Sequence, residues 1–127
     1  MPGTNDWLRK AHADLKLASK AIGDDETLDP AVYLAHQCAE KSLKTLFIFK
    51  GSSVPKIHFL QLIFDDCAKI DMEFLMLRDA CRLLDPYGIN ARYPNDGFFV
   101  NQQDLAQAIV MARMVLNFVK NKVSRGR

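Results

Sequence analysis

Residues 29–50 read DPAVYLAHQCAEKSLKTLFIFK and carry the clearest structural signal in the chain. Asp29 suits the N-cap of a helix, and Pro30 suits the first helical position because its missing N–H would have no partner there. Gly51 and Pro55 follow the stretch and predict its end. The apolar positions cover a wide face: Ala31, Leu34, Ala35, Cys38, Ala39, Leu43, Leu46, Phe47 and Phe49. A face this wide predicts a helix that contacts more than one neighbouring helix.

Four further segments have helical periodicity, and no segment shows the alternation typical of a strand. The apolar spacing predicts helices over about 5–22, 58–69, 72–84 and 101–123. Asn5 or Asp6 is the expected cap of the first of these helices, and Asn101 with Asp104 forms a capping-box pair at the last. Residues 85–97 contain two Pro, two Gly and two Asn, which predicts a loop. The pattern predicts an all-α fold, an up-and-down bundle of four or five helices.

Length and composition indicate one globular domain over residues 1–127. The chain is 49% hydrophobic and 25% charged, which excludes a disordered or low-complexity protein. A net charge of +2 is too small to indicate a nucleic-acid binder by composition alone. No secretory signal and no membrane-spanning apolar run are recognisable, so we expect a cytoplasmic protein without membrane association. Cys38, Cys67 and Cys81 form no CxxC pattern, which predicts buried, reduced thiols.

The last predicted helix leaves two questions open. Its first apolar stripe consists of Leu105, Ala108, Ile109, Ala112, Leu116 and Val119 and faces the core. Its second stripe, made of Met111, Met114, Val115 and Phe118, faces either a dimer partner or another helix of the same bundle. The basic tail at about 120–127 is either a frayed, solubilising end that complements the helix dipole or a segment that contacts phosphate.

A polar stripe runs along one side of the helix at 29–50. Gln37, Glu40, Lys41 and Lys44 are spaced i, i+3, i+4 and i+7, so they share one face. They either line a polar cleft that binds a ligand or form a solvated face, with Glu40 and Lys44 in the favourable i,i+4 orientation for an ion pair.

Three residues downstream are further candidates for ligand binding. His58 follows a proline turn, where it contacts either a ligand or the adjacent loop. Arg92 lies in the proline-flanked loop and either binds phosphate through paired hydrogen bonds or fixes the loop by bonding Glu40 or Asp14. Tyr93 either stacks on a nucleobase or packs the loop onto the bundle.

Metal and cofactor sites are not indicated. The sequence contains no Glu-x-x-His pair of the kind that helical bundles use for two-metal carboxylate sites. It also contains no glycine-rich phosphate-binding loop, so side chains would have to hold any phosphate. We therefore expect neither a bound metal nor a resident cofactor.

Four sequence fragments, in this order, resemble the HEPN family of small helical domains. They are Ala11-x-x-Asp14-Leu15-x-x-Ala18, HQCAEKSLK at residues 36–44, His58, and Ala91-Arg92-Tyr93-Pro94. The similarity extends from about Trp7 to Val119. It implies a dimerising helical bundle that binds a nucleotide or RNA and acts with an MNT-type nucleotidyltransferase, as in toxin–antitoxin pairs. It also implies that Gln37, Glu40, Lys41, Lys44, His58, Arg92 and Tyr93 are the ligand-binding candidates.

The chain departs from the family in one respect. Toxin members are metal-independent ribonucleases in which an Arg is followed after four to six residues by a His. After Arg92 the corresponding positions hold Gly97, Phe98 and Phe99. This departure favours a binding module that is not an enzyme on its own. The alternatives are a ribonuclease with a non-standard site, in which His36 or His58 takes part, and a purely structural dimerising protein.

Overall fold

The structure, a computed structural model, describes residues 2–94 and 97–126. Within these residues it contains no strand and five α-helices: α1 (Thr4–Lys20), α2 (Leu28–Phe49), α3 (Leu60–Ile70), α4 (Arg78–Leu84) and α5 (Gln102–Arg125). Three short 3₁₀ segments join them, at Asp25–Thr27, Met72–Leu77 and Asp85–Gly88. The predicted all-α bundle is confirmed.

Helix α2 is the centre of the bundle. It packs against α1, α3, α4 and α5, as its wide apolar face predicts. Cys38, Ala39 and Leu43 on this face are inaccessible to solvent. All three cysteines are free and buried, and burial raises the pKa of the Cys38 and Cys81 thiols to about 12. These thiols are therefore protonated and inert at neutral pH.

The two ends of α2 are set by different local interactions. The 3₁₀ turn Asp25–Thr27 leads directly into the helix, so α2 begins at Leu28 with Thr27 as its N-cap. The predicted N-cap at Asp29 is therefore wrong, and Asp29 and Pro30 lie within the first turn, where Pro is tolerated. At the other end Gly51 adopts φ +71°, and the N–H of Ser52 donates to the Phe47 carbonyl at 2.9 Å, a Schellman termination.

Two other helices begin away from their predicted positions. Gly3, rather than Asn5 or Asp6, caps α1, and the Asp6 carboxylate accepts a hydrogen bond from the Gly3 N–H at 2.9 Å. Helix α3 begins at Leu60, whose N–H donates to the side chain of Asp85 at 2.8 Å. Since that acceptor is distant in sequence, the pattern around residue 58 contained no signal for it. The Asn101–Asp104 capping box of α5 is confirmed.

The segment predicted as one helix over 72–84 changes geometry halfway. Met72–Leu77 is 3₁₀ and Arg78–Leu84 is α-helical. The predicted inward positions Phe74, Leu77, Ala80, Cys81 and Leu84 are all buried. The following predicted loop, 85–97, starts with the 3₁₀ turn Asp85–Gly88 instead of irregular chain, and its residues 95 and 96 lie outside the described part.

The second stripe of α5 is covered largely by the same bundle. Val115 is buried, and the ring of Phe118 meets that of Phe74 edge to face, with centroids 5.0 Å apart. Met114 remains partly exposed.

The basic tail is not a frayed end. Helix α5 continues to Arg125, Val123 is buried, and Lys122 bonds both Asp71, at 2.8 Å, and Glu73. This clamp to the start of the Met72–Leu77 segment orders the tail; residue 127 lies outside the described part. Among the described helices, none is long and apolar enough to cross a membrane.

Candidate functional site

A polar cleft of about 200 Å³ opens between the first half of α2, the start of α3 and the turn after α4. We call it the His58 cleft. Its lining residues are Tyr33, His36, Gln37, Glu40, His58, Phe59, Gly88, Ile89 and Arg92. Four of the predicted ligand-binding residues, Gln37, Glu40, His58 and Arg92, therefore meet in one place although they come from three parts of the sequence.

Glu40 is the buried charge of this cleft. Its Oε2 accepts a hydrogen bond from Lys44 Nζ at 3.1 Å and lies 3.1 Å from His58 Nδ1. The side chains of Glu40 and Lys44 are each only 7% exposed, whereas that of His58 is 78% exposed. A carboxylate bonded to one ring nitrogen fixes the orientation of an imidazole and leaves the other nitrogen to exchange a proton.

His36 forms the floor of the cleft. It is 1% exposed, its Nδ1 lies 3.1 Å from the side-chain oxygen of Gln37, and its ring is stacked beside that of Tyr33 with centroids 6.3 Å apart. Burial lowers the pKa of His36, partly opposed by Gln37 and by the Glu40 charge, which favours a neutral ring. His36 Nε2 and Glu40 Oε1 are buried and have no hydrogen-bond partner among the described residues.

Gly88 allows the turn after α4 to touch this ring. A Cβ atom at position 88 would lie 2.5 Å from His36 Nε2, which is closer than real Cβ contacts allow.

We therefore expect Gly88→Ala to lower the free energy of unfolding by about 1–3 kcal/mol, because the turn or the buried imidazole has to move. Urea denaturation measures this loss. In a double-mutant cycle, Gly88→Ala should cost less free energy of unfolding in the His36→Ala background, because the clash is absent without the ring. Additive effects of the two substitutions would contradict the close approach.

Arg92 lies between two tyrosine rings. Its guanidinium carbon is 5.6 Å from the centroid of Tyr33 and 5.5 Å from that of Tyr93. Of the two alternatives for Arg92, the bond to Glu40 or Asp14 is not formed, since Glu40 is paired with Lys44 and Asp14 with Lys41 at 2.6 Å. Within the described residues Arg92 has no ion pair, and its guanidinium contacts the rings of Tyr33 and Tyr93.

Two contacts hold in place the turn and loop that carry Arg92. Asp85 accepts the hydrogen bond from the Leu60 N–H, which ties the turn after α4 to the start of α3. Tyr87 packs edge to face on Phe98, with centroids 5.9 Å apart, and so joins the two sides of the loop. The cleft is therefore held by contacts among segments that are far apart in sequence.

Three of the predicted site residues do not line the cleft. Lys41 points to the other side of α2, where it bonds Asp14. Lys44 is buried behind Glu40. Tyr93 is 65% exposed and touches Arg92 instead of packing the loop onto the bundle. The four-residue polar stripe is thus neither a single ligand-binding face nor a solvated face. Gln37 and Glu40 line the cleft, Lys41 bonds Asp14, and Lys44 is buried.

Tyr33, His36 and Gly88 were not among the residues predicted to bind ligand. A signal for the first two was present, since Tyr33, Gln37 and Glu40 follow i, i+4 and i+7 spacing and His36 lies between them. No sequence signal marks Gly88, because its contact with His36 joins two distant segments.

Comparison with known proteins agrees with this architecture. A family model described as "HEPN domain" matches residues 4–122. The chain is similar to the crystal structure of TT1696 from Thermus thermophilus, with 27% identity and a TM-score of 0.78 over 96% of this chain and 99% of that one. It is also similar to ST0689, an archaeal HEPN homologue, with 25% identity and a TM-score of 0.74 over 97% of this chain and 99% of that one. No significant match to a curated protein sequence was found. With a family model matching almost the whole chain, the protein belongs to the HEPN domain family.

Proposed function

We propose that this HEPN domain is an accessory module that binds the phosphate of a nucleotide or of an RNA in the His58 cleft. The observation that carries the proposal is Arg92, a cation without an acidic partner in the described residues, oriented by Tyr33 and Tyr93 at the edge of a polar cleft. A guanidinium in this position can form two parallel hydrogen bonds to phosphate oxygens.

The remaining lining supports a ligand that carries both a phosphate and a flat base. His58 lines the same cleft as Arg92, with its exposed ring bonded to Glu40. The tyrosine rings of Tyr33 and Tyr93 provide flat faces of the kind on which nucleobases stack. Nucleotides and RNA ends combine these chemical features.

A thermal-shift titration with ATP, GTP and a short RNA tests this proposal. A ligand that binds only the folded protein stabilises it by about 2.7 kcal/mol at a hundredfold excess over Kd. We expect Arg92→Ala to weaken binding about 10- to 100-fold, which corresponds to the loss of a charged hydrogen bond. Arg92→Lys should bind with an affinity between those of the wild-type protein and Arg92→Ala, because it keeps the charge but loses the planar guanidinium.

The matched control is Arg78→Ala, which removes an exposed arginine outside the cleft. It should bind every ligand like the wild-type protein. An equal loss of binding in Arg78→Ala and Arg92→Ala, or no thermal shift with any of the three ligands, would reject the proposal.

A second candidate function is a metal-independent ribonuclease with a non-standard site. The observation that favours it is the exposed His58 imidazole, held by buried Glu40 in the same cleft as Arg92. In this reaction His58 takes the proton of an RNA 2′-hydroxyl, and the 2′-oxygen bonds to phosphorus while the bond to the 5′-oxygen breaks. The 5′-oxygen takes a proton from a solvent water, and Arg92 stabilises the charge on the phosphate.

Incubation of a fluorescent RNA with the protein in EDTA tests this candidate. We expect a product ending in a 2′,3′-cyclic phosphate and a loss of cleavage in both His58→Ala and Arg92→Ala. Cleavage that persists in His58→Ala, or an intact RNA with the wild-type protein, would leave the binding module as the function.

We further propose that the module forms a homodimer and partners an MNT-type nucleotidyltransferase in a toxin–antitoxin-like pair. Family membership supports this assignment. Light scattering after size exclusion measures the dimer, and co-elution with a co-expressed nucleotidyltransferase measures the complex. A monomer that never co-elutes would reject both.

A further inference from the structure

A second charged groove lies between α1 and α5 and involves none of the cleft residues. We call it the α1/α5 groove. It encloses about 440 Å³, and its basic residues are His12 and Lys16 on α1 and Arg113 and Lys120 on α5. Within the described part of the chain, no acidic side chain lines it.

The cations of this groove are not used in the fold. Lys16, Arg113 and Lys120 are exposed, and none of them forms an ion pair with a described residue. By contrast, Lys41, Lys44 and Lys122 each bond a carboxylate elsewhere in the bundle. The groove therefore gathers positive charge that no described side chain neutralises through an ion pair.

The positions of these cations form two facing rows. His12 and Lys16 are one turn apart on α1, which places them about 6 Å apart along the helix. Arg113 and Lys120 are two turns apart on α5, which places them about 10 Å apart. Because α1 and α5 pack directly against each other, the two rows flank one channel.

The floor of the groove argues against a protein partner. Leu15 and Leu116 form this floor, and both are already buried by the bundle. Protein interfaces draw most of their binding free energy from apolar and aromatic anchors, and two leucines that are already buried offer such an anchor little apolar surface. Phosphodiester backbones need only cations along their path, since the binding is electrostatic and independent of sequence.

We propose that the α1/α5 groove binds the phosphodiester backbone of a nucleic-acid strand at a site separate from the His58 cleft. Lys16, Arg113 and Lys120 contact the phosphates, and His12 lines the same groove. The proposal does not depend on nucleotide binding in the cleft. The contacts are to the backbone, so RNA and DNA strands both fit.

Fluorescence anisotropy with labelled oligouridine and oligothymidine of equal length tests the proposal, with each Kd measured over a range of salt from about 50 to 200 mM. Single-strand binding has a slope of about −0.7 in log K against log salt for each phosphate contacted. The variant Lys16→Gln/Arg113→Gln/Lys120→Gln should therefore reduce the slope by about 2. A reduced slope with either polymer supports the groove.

The control is Lys50→Gln/Lys69→Gln/Arg78→Gln, which removes the same three charges from exposed positions outside both sites. It should keep the wild-type slope. Arg92→Ala should change the slope by no more than about 1. The size of the slope change therefore distinguishes loss of binding in the cleft from loss of binding in the groove. Three results would overturn the proposal: no binding by the wild-type protein, equal slopes in both triple variants, or equal competition by polyglutamate.

Discussion

We expect Glu40→Ala to lower the free energy of unfolding by about 3–5 kcal/mol, the range for removing one partner of a buried ion pair. Glu40 and Lys44 are bonded at 3.1 Å and are each 7% exposed, so the substitution leaves the Lys44 ammonium desolvated and without its carboxylate. The same substitution releases His58, whose Nδ1 faces Glu40. Urea denaturation followed by circular dichroism gives the free energy.

Two further variants test whether the buried, unpaired charge causes this loss of stability. Glu40→Met/Lys44→Met removes both charges and should cost much less than the single substitution, because buried pairs replaced by apolar residues are often neutral in stability. Asp79→Ala removes the acid of an exposed pair with Arg82 at 3.9 Å and should cost less than about 1 kcal/mol. If Glu40→Ala costs no more than Asp79→Ala, the pair is not buried as described.

The second large effect is expected at Phe74. This side chain is fully buried in the 3₁₀ segment Met72–Leu77 and meets the Phe118 ring of α5 at 5.0 Å. Truncation to alanine removes its apolar contacts and leaves a cavity, at a cost of about 3–5 kcal/mol. Met76→Ala is the matched control in the same segment, since Met76 is 74% exposed.

Thermal and urea unfolding should show a much lower free energy of unfolding for Phe74→Ala than for Met76→Ala. Met76→Ala should lie within about 1 kcal/mol of the wild-type protein. Equal stability of the two variants would contradict the packing of this segment on α5.

Helix existence was predictable along most of the chain because helical periodicity is a local property. The apolar positions of α2 and of α5 repeat at the spacing that the buried faces show, and the Asn101–Asp104 capping box lies within four residues. Helix boundaries were less predictable. Leu60 takes its cap from Asp85, a residue 25 positions away, and no local pattern contains such a contact.

The candidate site was predicted in its parts but not in its arrangement. Gln37, Glu40, His58 and Arg92 were identified as candidates, and the structure gathers them in one cleft. The sequence could not separate Lys41 from Lys44, since both lie on the same polar stripe. Which of them faces Asp14 and which lies behind Glu40 depends on how α1 packs against α2.

By itself the sequence determined the helical class, the contact of α2 with several helices and the family. The first two follow from residue spacing within single segments, and the third from the order of four short fragments along the chain. Only the tertiary structure decided the burial of the Glu40–Lys44 pair, the contact of Gly88 with His36 and the placement of Arg92 between two tyrosines. These features depend on how elements pack, and packing joins atoms whose separation in sequence carries no periodic signal.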